Sequence, residues 1–178
     1  MDLKERKIDG ETIFEGRIFT VVKDKVICPN GNESFREIVK HDGGAGVLCV
    51  TSDDKVILIK QFRYAYDEVM YEIPAGKLEK GEDPKFAALR EFEEETGNKA
   101  SDIELLNVLY PTVGYCNEKI YIYLVRNFNV TSTNLDEDEF IETCYVDFDD
   151  ALNMIYDGTI KDGKTIVAIL TYHAKYRK

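Results

Sequence analysis

The segment from Gly76 to Asn98 constrains the chain most, because it carries local signals for both ends of a helix. Asp83 is a favourable N-cap, and Pro84 suits the first helical position, where a backbone N–H has no partner in the helix. Gly97 suits the left-handed residue with which helices often end. The segment is therefore predicted to form a loop, a helix between Asp83 and Gly97, and a second loop.

Three glutamates share one face of this predicted helix. Glu91, Glu94 and Glu95 are spaced at i, i+3 and i+4, so their carboxylates converge near the helix C-terminus. Like charges at this spacing repel, and the helix dipole disfavours anions at that end. A divalent cation would relieve both effects, and clustered oxygen ligands suit Mg²⁺ or Mn²⁺ used together with substrate phosphates. The alternative is an acidic helix face that is simply solvated.

The glutamates belong to a longer pattern of fixed spacing. It reads Gly-x5-Glu-x7-Arg-Glu-U-x-Glu-Glu-x-Gly-U, where U is an apolar residue, and its fixed positions are Gly76, Glu82, Arg90, Glu91, Glu94, Glu95 and Gly97. This pattern resembles the signature of the Nudix hydrolases. Phe92 is bulkier than the usual aliphatic residue and Asn98 replaces the final apolar one, but neither change removes a ligand.

The resemblance implies an α+β fold, the Nudix α/β/α sandwich around a mixed β-sheet, here with an N-terminal antiparallel strand pair. It implies that Glu91, Glu94 and Glu95 bind Mg²⁺, or Mn²⁺, and that the backbone carbonyl of Ala75 joins them. Arg90 is implied to orient the cluster by pairing with a glutamate such as Glu94. Hydrolysis of a pyrophosphate needs a water in line with phosphorus and positive charge around the phosphoryl oxygens, which a metal site of this kind supplies.

The rest of the chain predicts a single domain, residues 1–178, without internal repeats or an interdomain linker. Residues 1–11 are charged and predict a loose lead-in. Asn30-Gly31 predicts the turn of a hairpin, because both residues accept a positive φ angle. With the resemblance, residues 1–42 are expected to supply N-terminal strands used in dimerisation, and residues 43–178 the catalytic core.

The charge balance excludes some classes of partner. The formal net charge is −11, from 23 basic and 34 acidic residues, which disfavours binding to nucleic acid or to an anionic membrane. No apolar run approaches the roughly 20 residues of a membrane span, and the charged N-terminus does not resemble a signal peptide. The four cysteines lie far apart, without a C-x-x-C pair. We therefore expect a cytoplasmic enzyme that acts on a small molecule.

A second set of residues narrows the resemblance to the bacterial ADP-ribose pyrophosphatases. The similar segments are Gln61-Phe62-Arg63-Tyr64, residues 72–79, and Pro111, which lies fourteen residues after Gly97. This similarity implies a nucleoside diphosphate substrate, namely ADP-ribose, which is hydrolysed to AMP and ribose 5-phosphate. It also implies a homodimer whose N-terminal strands are exchanged between subunits.

The same resemblance suggests functional groups outside the helix. Arg36 and Arg63 resemble the arginines that hold the pyrophosphate and the terminal ribose, and Glu118 resembles a carboxylate that contacts substrate. A glutamate in the late acidic loop Leu135–Glu139 is implied to position or deprotonate the attacking water. Glu137 matches that position best and Glu139 is the next choice. The alternatives are ordinary surface arginines and an acidic surface loop.

Two alternative functions keep the fold. The substrate could be another nucleoside diphosphate derivative, such as a nucleotide sugar or a dinucleotide, because only the binding loops would differ. The domain could also bind ADP-ribose as a sensor without hydrolysing it. Such a module is expected to have lost metal ligands, whereas all three glutamates of the pattern are present in this chain.

Overall fold

The computed structural model describes residues 2–135 and 139–177, which form two compact units. The N-terminal unit contains the described residues up to Gly43 together with Tyr110–Lys119. The larger unit contains Gly44–Leu109 and the described residues from Ile120 onward. The helix predicted from the sequence lies in the larger unit.

The N-terminal unit contains a three-stranded antiparallel sheet, in the order β1 (Arg6–Glu15), β2 (Phe19–Ile27) and β3 (Glu33–His41). The predicted turn at Asn30-Gly31 connects β2 to β3, and Gly31 has a φ of 85°. The predicted antiparallel strand pair is present as β2 and β3, and β1 adds a third strand. The prediction of a loose lead-in over residues 1–11 is wrong, because β1 begins at Arg6. All its residues are exposed, so no alternation of buried and exposed side chains marks it in the sequence.

The larger unit is built on a mixed sheet. In chain order the strands of the larger unit are β4 (Gly44–Val50), β5 (Lys55–Arg63), β6 (Glu68–Glu72), β7 (Ala75–Lys77), β8 (Asn98–Lys99), β9 (Glu104–Leu109), β10 (Ile120–Val125), β11 (Asn129–Val130) and β12 (Ile141–Asp147). The sheet order is β12-β5-β4-β10-β9, with β6 on β5 and β7 on β4, while β8 and β11 form a short ribbon. Strand β10 runs parallel to β4, and the other pairings are antiparallel.

Helices cover both faces of this sheet. They are α1 (Pro84–Thr96), α2 (Phe148–Tyr156) and α3 (Gly163–Tyr176). Successive residues of a strand point to opposite faces, so Val47 packs in the cluster that contains α1 side chains, and Leu48 in the cluster that contains α2 and α3 side chains. This arrangement confirms the predicted α+β fold and the α/β/α sandwich. No helix in the described part of the chain is long and apolar enough to cross a membrane.

The bulky residue of the signature has a structural role in this core. Phe92 is fully buried among Ala87, Ala88 and strand residues, and its ring meets that of Phe128 edge-on at 6.2 Å between centroids. Burial of such a side chain contributes about 1.5–3 kcal/mol to folding. Phe92 thereby helps to hold α1 against the sheet.

Candidate active site

Local capping fixes the position of α1. The Asp83 side chain accepts a hydrogen bond from the Lys85 N–H at 2.8 Å, and Pro84 is the first helical residue. Gly97 ends the helix in the left-handed conformation with a φ of 66°. The predicted start and end of the helix are both confirmed, so the glutamates occupy its last two turns.

Two of these glutamates lie against the short strand β7. Glu95 is only 3% exposed, and its Oε2 accepts a hydrogen bond from the Ala75 N–H at 2.8 Å. Glu91 packs on Gly76, where a Cβ atom would lie 1.9 Å from the Glu91 carboxylate. Strand β7 and helix α1 therefore bring Ala75, Gly76, Glu91 and Glu95 together.

The environment of these carboxylates raises their pKa values above the ordinary value. Burial, followed by the charge of Glu91, raises the pKa of Glu95 to about 8. Burial is also the largest cause that raises the pKa of Glu91. The charge of Glu139 contributes to both increases, so its carboxylate stands close to the pair. Such a cluster of buried, like-charged oxygens fits a divalent cation.

Arg90 holds three acidic residues around the same helix. Its Nη1 donates to Glu91 Oε1 at 2.7 Å and to Glu94 Oε2 at 3.0 Å, and its Nε lies 3.4 Å from Glu82 Oε1. The Glu82 carboxylate also accepts a hydrogen bond from the Glu79 N–H at 2.9 Å, which ties the preceding loop to the helix.

These contacts determine the arrangement of the acidic side chains. Among residues 2–135 and 139–177, no three carboxylate, imidazole or thiol groups are arranged as a ready metal site. Arg90 occupies oxygens of Glu91 and Glu94, while the Ala75 N–H occupies one of Glu95. The donor types, the burial and the raised pKa values fit a divalent cation, and the assignment of Glu91, Glu94, Glu95 and the Ala75 carbonyl as its ligands stays a prediction.

The segment that precedes the late acidic loop, residues 135–139, is attached to the end of α1 by hydrogen bonds to carbonyls there. Thr131 N–H donates to Gly97 O at 2.7 Å, and Asn134 N–H donates to Glu94 O at 2.9 Å. On β12, Thr143 Oγ1 donates to Glu95 O at 3.2 Å. Glu137, the first choice for the loop glutamate, lies outside the described residues, whereas Glu139 is described and its charge acts on Glu91 and Glu95.

Arg63 is held by a buried carboxylate. Its Nε and Nη2 donate to the two oxygens of Glu72 at 2.5 Å and 2.6 Å. Lys164, at the start of α3, binds the same carboxylate. Lys164 was not predicted as a site residue, because lysine is seldom buried and no sequence motif marks this one.

The other two predicted substrate groups lie in the N-terminal unit. The Arg36 guanidinium donates to Glu5, with a distance of 2.8 Å from Nε to Oε2, and to the Phe35 carbonyl at 2.7 Å. The Glu118 carboxylate lies 3.5 Å from His41 Nδ1. Their proposed contacts with substrate stay predictions.

Comparison with known proteins decides the family. The model of the NUDIX domain matches residues 40–168, which is well over half of the chain. This protein belongs to the Nudix family. The sequence-based family prediction is therefore confirmed, and the pattern from Gly76 to Gly97 lies inside the matched region.

Two known proteins are similar along almost the whole chain. An ADP-ribose pyrophosphatase of Bacillus subtilis (strain 168) is 43% identical over 94% of this chain and 91% of its own length. A methanol dehydrogenase activator of Bacillus methanolicus is 40% identical over 93% of this chain and 91% of its own length. A crystal structure of an ADP compounds hydrolase shares the fold, with a TM-score of 0.85, 23% identity, and coverage of 98% of this chain and 95% of that one. These matches confirm the prediction of a Nudix hydrolase.

Proposed function

We propose that this Nudix protein hydrolyses the pyrophosphate bond of ADP-ribose to AMP and ribose 5-phosphate. The observation that carries the proposal is the position of the half-buried Glu91 and the buried Glu95 beside Ala75 and Gly76, because these carboxylates supply hard oxygen atoms where the Nudix pattern requires them. The choice of ADP-ribose is supported by the 43% identity to the Bacillus subtilis ADP-ribose pyrophosphatase.

The acidic cluster is proposed to bind Mg²⁺, with Mn²⁺ as the related alternative. Glu91, Glu94, Glu95 and the carbonyl of Ala75 would hold the ion, which when bound supplies positive charge beside the phosphoryl oxygens and acidifies water. Arg90 pairs with Glu91 and Glu94, and so limits the positions that these two side chains can adopt.

Arg63 and the late loop are proposed to act on substrate and water. Arg63 presents a fixed guanidinium that suits a phosphate oxygen, because Glu72 already binds two of its nitrogens. A loop glutamate would position or deprotonate the attacking water, with Glu137 the first choice and Glu139 the second. The proximity of Glu139 to Glu91 and Glu95 supports a role for this loop at the site. Arg36 and Glu118 are proposed as further contacts to substrate.

We also propose a homodimer formed through the N-terminal sheet. Its support is a set of exposed apolar side chains on that unit, namely Ile8, Ile13, Phe14, Ile18, Phe19 and Phe35. Light scattering is expected to give twice the mass of the chain, and a monomer at micromolar concentration would contradict the proposal.

A cytoplasmic location is supported by the four free cysteines, which suit a reducing compartment.

The substrate proposal is tested by purified protein with Mg²⁺ and a panel of ADP-ribose, nucleotide sugars, dinucleotides and nucleoside triphosphates. We expect the highest kcat/KM for ADP-ribose, with AMP and ribose 5-phosphate formed in equal amounts. A higher kcat/KM for another nucleoside diphosphate derivative would identify that compound as the substrate and would leave the proposed metal site unchanged. Binding of ADP-ribose without turnover would favour a sensor.

A further inference from the structure

A network of four charged side chains lies beside the proposed metal site, in the larger unit. Glu72 is at its centre, on β6, and is 1% exposed. Arg63 on β5 and Lys164 on α3 both bind the Glu72 carboxylate. Asp162, the N-cap of α3, lies 3.2 Å from Lys164 Nζ. The network thus alternates in charge, from Asp162 through Lys164 and Glu72 to Arg63.

Two features fix Lys164 in this position. Its side chain is 10% exposed, so Nζ has little access to water and depends on Glu72 and Asp162. The first turn of α3 is also tied to the end of β6, since Thr165 Oγ1 accepts a hydrogen bond from the Ile73 N–H at 2.8 Å. Both the backbone and the side chain therefore hold Lys164 Nζ at the carboxylate.

Glu72 in turn fixes the orientation of Arg63. The guanidinium uses Nε and Nη2 for the two oxygens of Glu72, and this bidentate pairing fixes the plane of the group. Nη1 is the guanidinium nitrogen outside this pair. Because Glu72 Oε2 also binds Lys164, the carboxylate is itself prevented from rotating with the arginine.

The network acts on the proposed metal site by its charge. Glu95 is among the charges that raise the pKa of Arg63, and Lys164 is among those that lower the pKa of Glu95 against the larger effect of burial. Both cations therefore lie within electrostatic range of Glu95, one of the proposed metal ligands on α1.

We propose that Lys164 is a positioning residue that acts through Glu72 to hold Arg63 in the orientation that binds a substrate phosphate. The inference rests on the proposed function, in which Arg63 contacts the pyrophosphate. Lys164 does not need to touch the substrate itself. Its effect on catalysis requires Arg63, and this dependence separates positioning from a general contribution to stability.

A double-mutant cycle tests this dependence. Lys164→Met is expected to lower kcat/KM for ADP-ribose at least tenfold, mainly through a higher KM, while Lys164→Arg keeps most of the activity because it retains the cation. In an Arg63→Gln background, Lys164→Met is expected to change kcat/KM less than twofold. The proposal would be overturned if Lys164→Met lowered kcat/KM by the same factor with and without Arg63→Gln. Wild-type kinetics in Lys164→Met would overturn it as well.

Lys161 offers a matched control. It pairs at 2.6 Å with Glu68, which is on the same strand as Glu72, but its side chain is 52% exposed. Lys161→Met is expected to leave kcat and KM unchanged. Circular dichroism and Tm identify any variant that fails to fold, and Lys164→Gln, which keeps a hydrogen-bond donor, then replaces Lys164→Met in the cycle with the same expected outcome.

Binding without turnover gives a second readout. In EDTA, calorimetry with ADP-ribose is expected to show a Kd at least fivefold higher for Lys164→Met, but no further increase when Arg63→Gln is already present. If the wild type hydrolyses a different nucleoside diphosphate, only the substrate proposal fails, and the cycle is measured with that compound. If it hydrolyses ADP-ribose and the Kd values of wild type and Lys164→Met agree, only the positioning proposal fails.

Discussion

The carboxylate of Glu91 lies against the α-carbon of Gly76, so closely that a Cβ atom at position 76 would be 1.9 Å from Glu91 Oε1. Gly76 has an ordinary backbone conformation, so the need for glycine is steric and is set by the glutamate. The first and fourth fixed residues of the Nudix pattern are therefore in direct contact. The Glu91 carboxylate can occupy this position only because residue 76 lacks a side chain.

Gly76→Ala is expected to displace the Glu91 carboxylate and to lower kcat/KM at least tenfold, with weaker activation by Mg²⁺. The fold is expected to persist, since the contacted atoms belong to the end of a flexible side chain. The measurement is the dependence of kcat/KM on Mg²⁺ concentration, together with Tm.

Gly163→Ala is the matched control for this substitution, because a Cβ there meets no described atom within 4 Å. It is expected to retain wild-type kinetics. A Gly76→Ala protein with wild-type activation by Mg²⁺ would show that the position of Glu91 is unimportant for metal binding.

Glu94→Gln and Glu95→Gln are each expected to lower kcat about a hundredfold or more, because each removes a charged oxygen from the proposed metal site. Glu93→Gln on the same helix is the control, since Glu93 pairs with Lys99 at 2.8 Å, away from the cluster. Calorimetry with Mg²⁺ and Mn²⁺ measures the accompanying loss of affinity. A near-normal kcat in either variant removes that residue from the ligand set.

The kinetics of two variants distinguish the candidate loop glutamates, Glu137 and Glu139. Glu137→Gln is expected to lower kcat by a larger factor than it changes KM, because the group acts on the water and does not bind substrate. If Glu139→Gln shows this pattern and Glu137→Gln does not, the second choice from the sequence is the correct one. Both variants are measured with ADP-ribose at saturating Mg²⁺.

The sequence was sufficient to predict the structural elements whose ends are determined by local residues. Asp83, Pro84 and Gly97 act within a few residues of the helix ends, so α1 was predicted with its correct bounds. The sequence could not reveal the burial of Lys164, because its partner Glu72 is 92 residues away along the chain and is brought near only by the packing of α3 on β6. Strand β1 was missed for a related reason, as it is defined by pairing with β2 and buries none of its residues.

Without metal, the free energy of unfolding is expected to fall as pH rises from about 5 to 8. Glu95 has a pKa of about 8 in the folded protein and an ordinary value of 4.5, so in this range the folded protein binds the extra proton. The stabilisation from that proton is complete below pH 4.5 and is lost above pH 8, with a slope of at most about 1.4 kcal/mol per pH unit.

Urea denaturation in EDTA measures this slope, and Glu95→Gln is expected to reduce it. Saturating Mg²⁺ is expected to reverse the loss at pH 8, because the ion binds the deprotonated cluster. Equal slopes for the wild type and Glu95→Gln would contradict the assignment of a raised pKa to this carboxyl.

Asn98 stands where the Nudix pattern has an apolar residue, and we expect Asn98→Leu to destabilise the protein although it restores that pattern. Asn98 is 1% exposed, and its Nδ2 donates to the carbonyl and hydroxyl of Thr96 at 3.2 Å and to the Tyr145 hydroxyl at 3.3 Å. Loss of these bonds removes the Asn98 donor from the carbonyl of the buried Thr96, at about 1–3 kcal/mol. Tyr145→Phe removes only one of them and is expected to cost about 1 kcal/mol by urea denaturation. An Asn98→Leu protein as stable as the wild type would mean that apolar packing at the end of α1 replaces the hydrogen bonds completely.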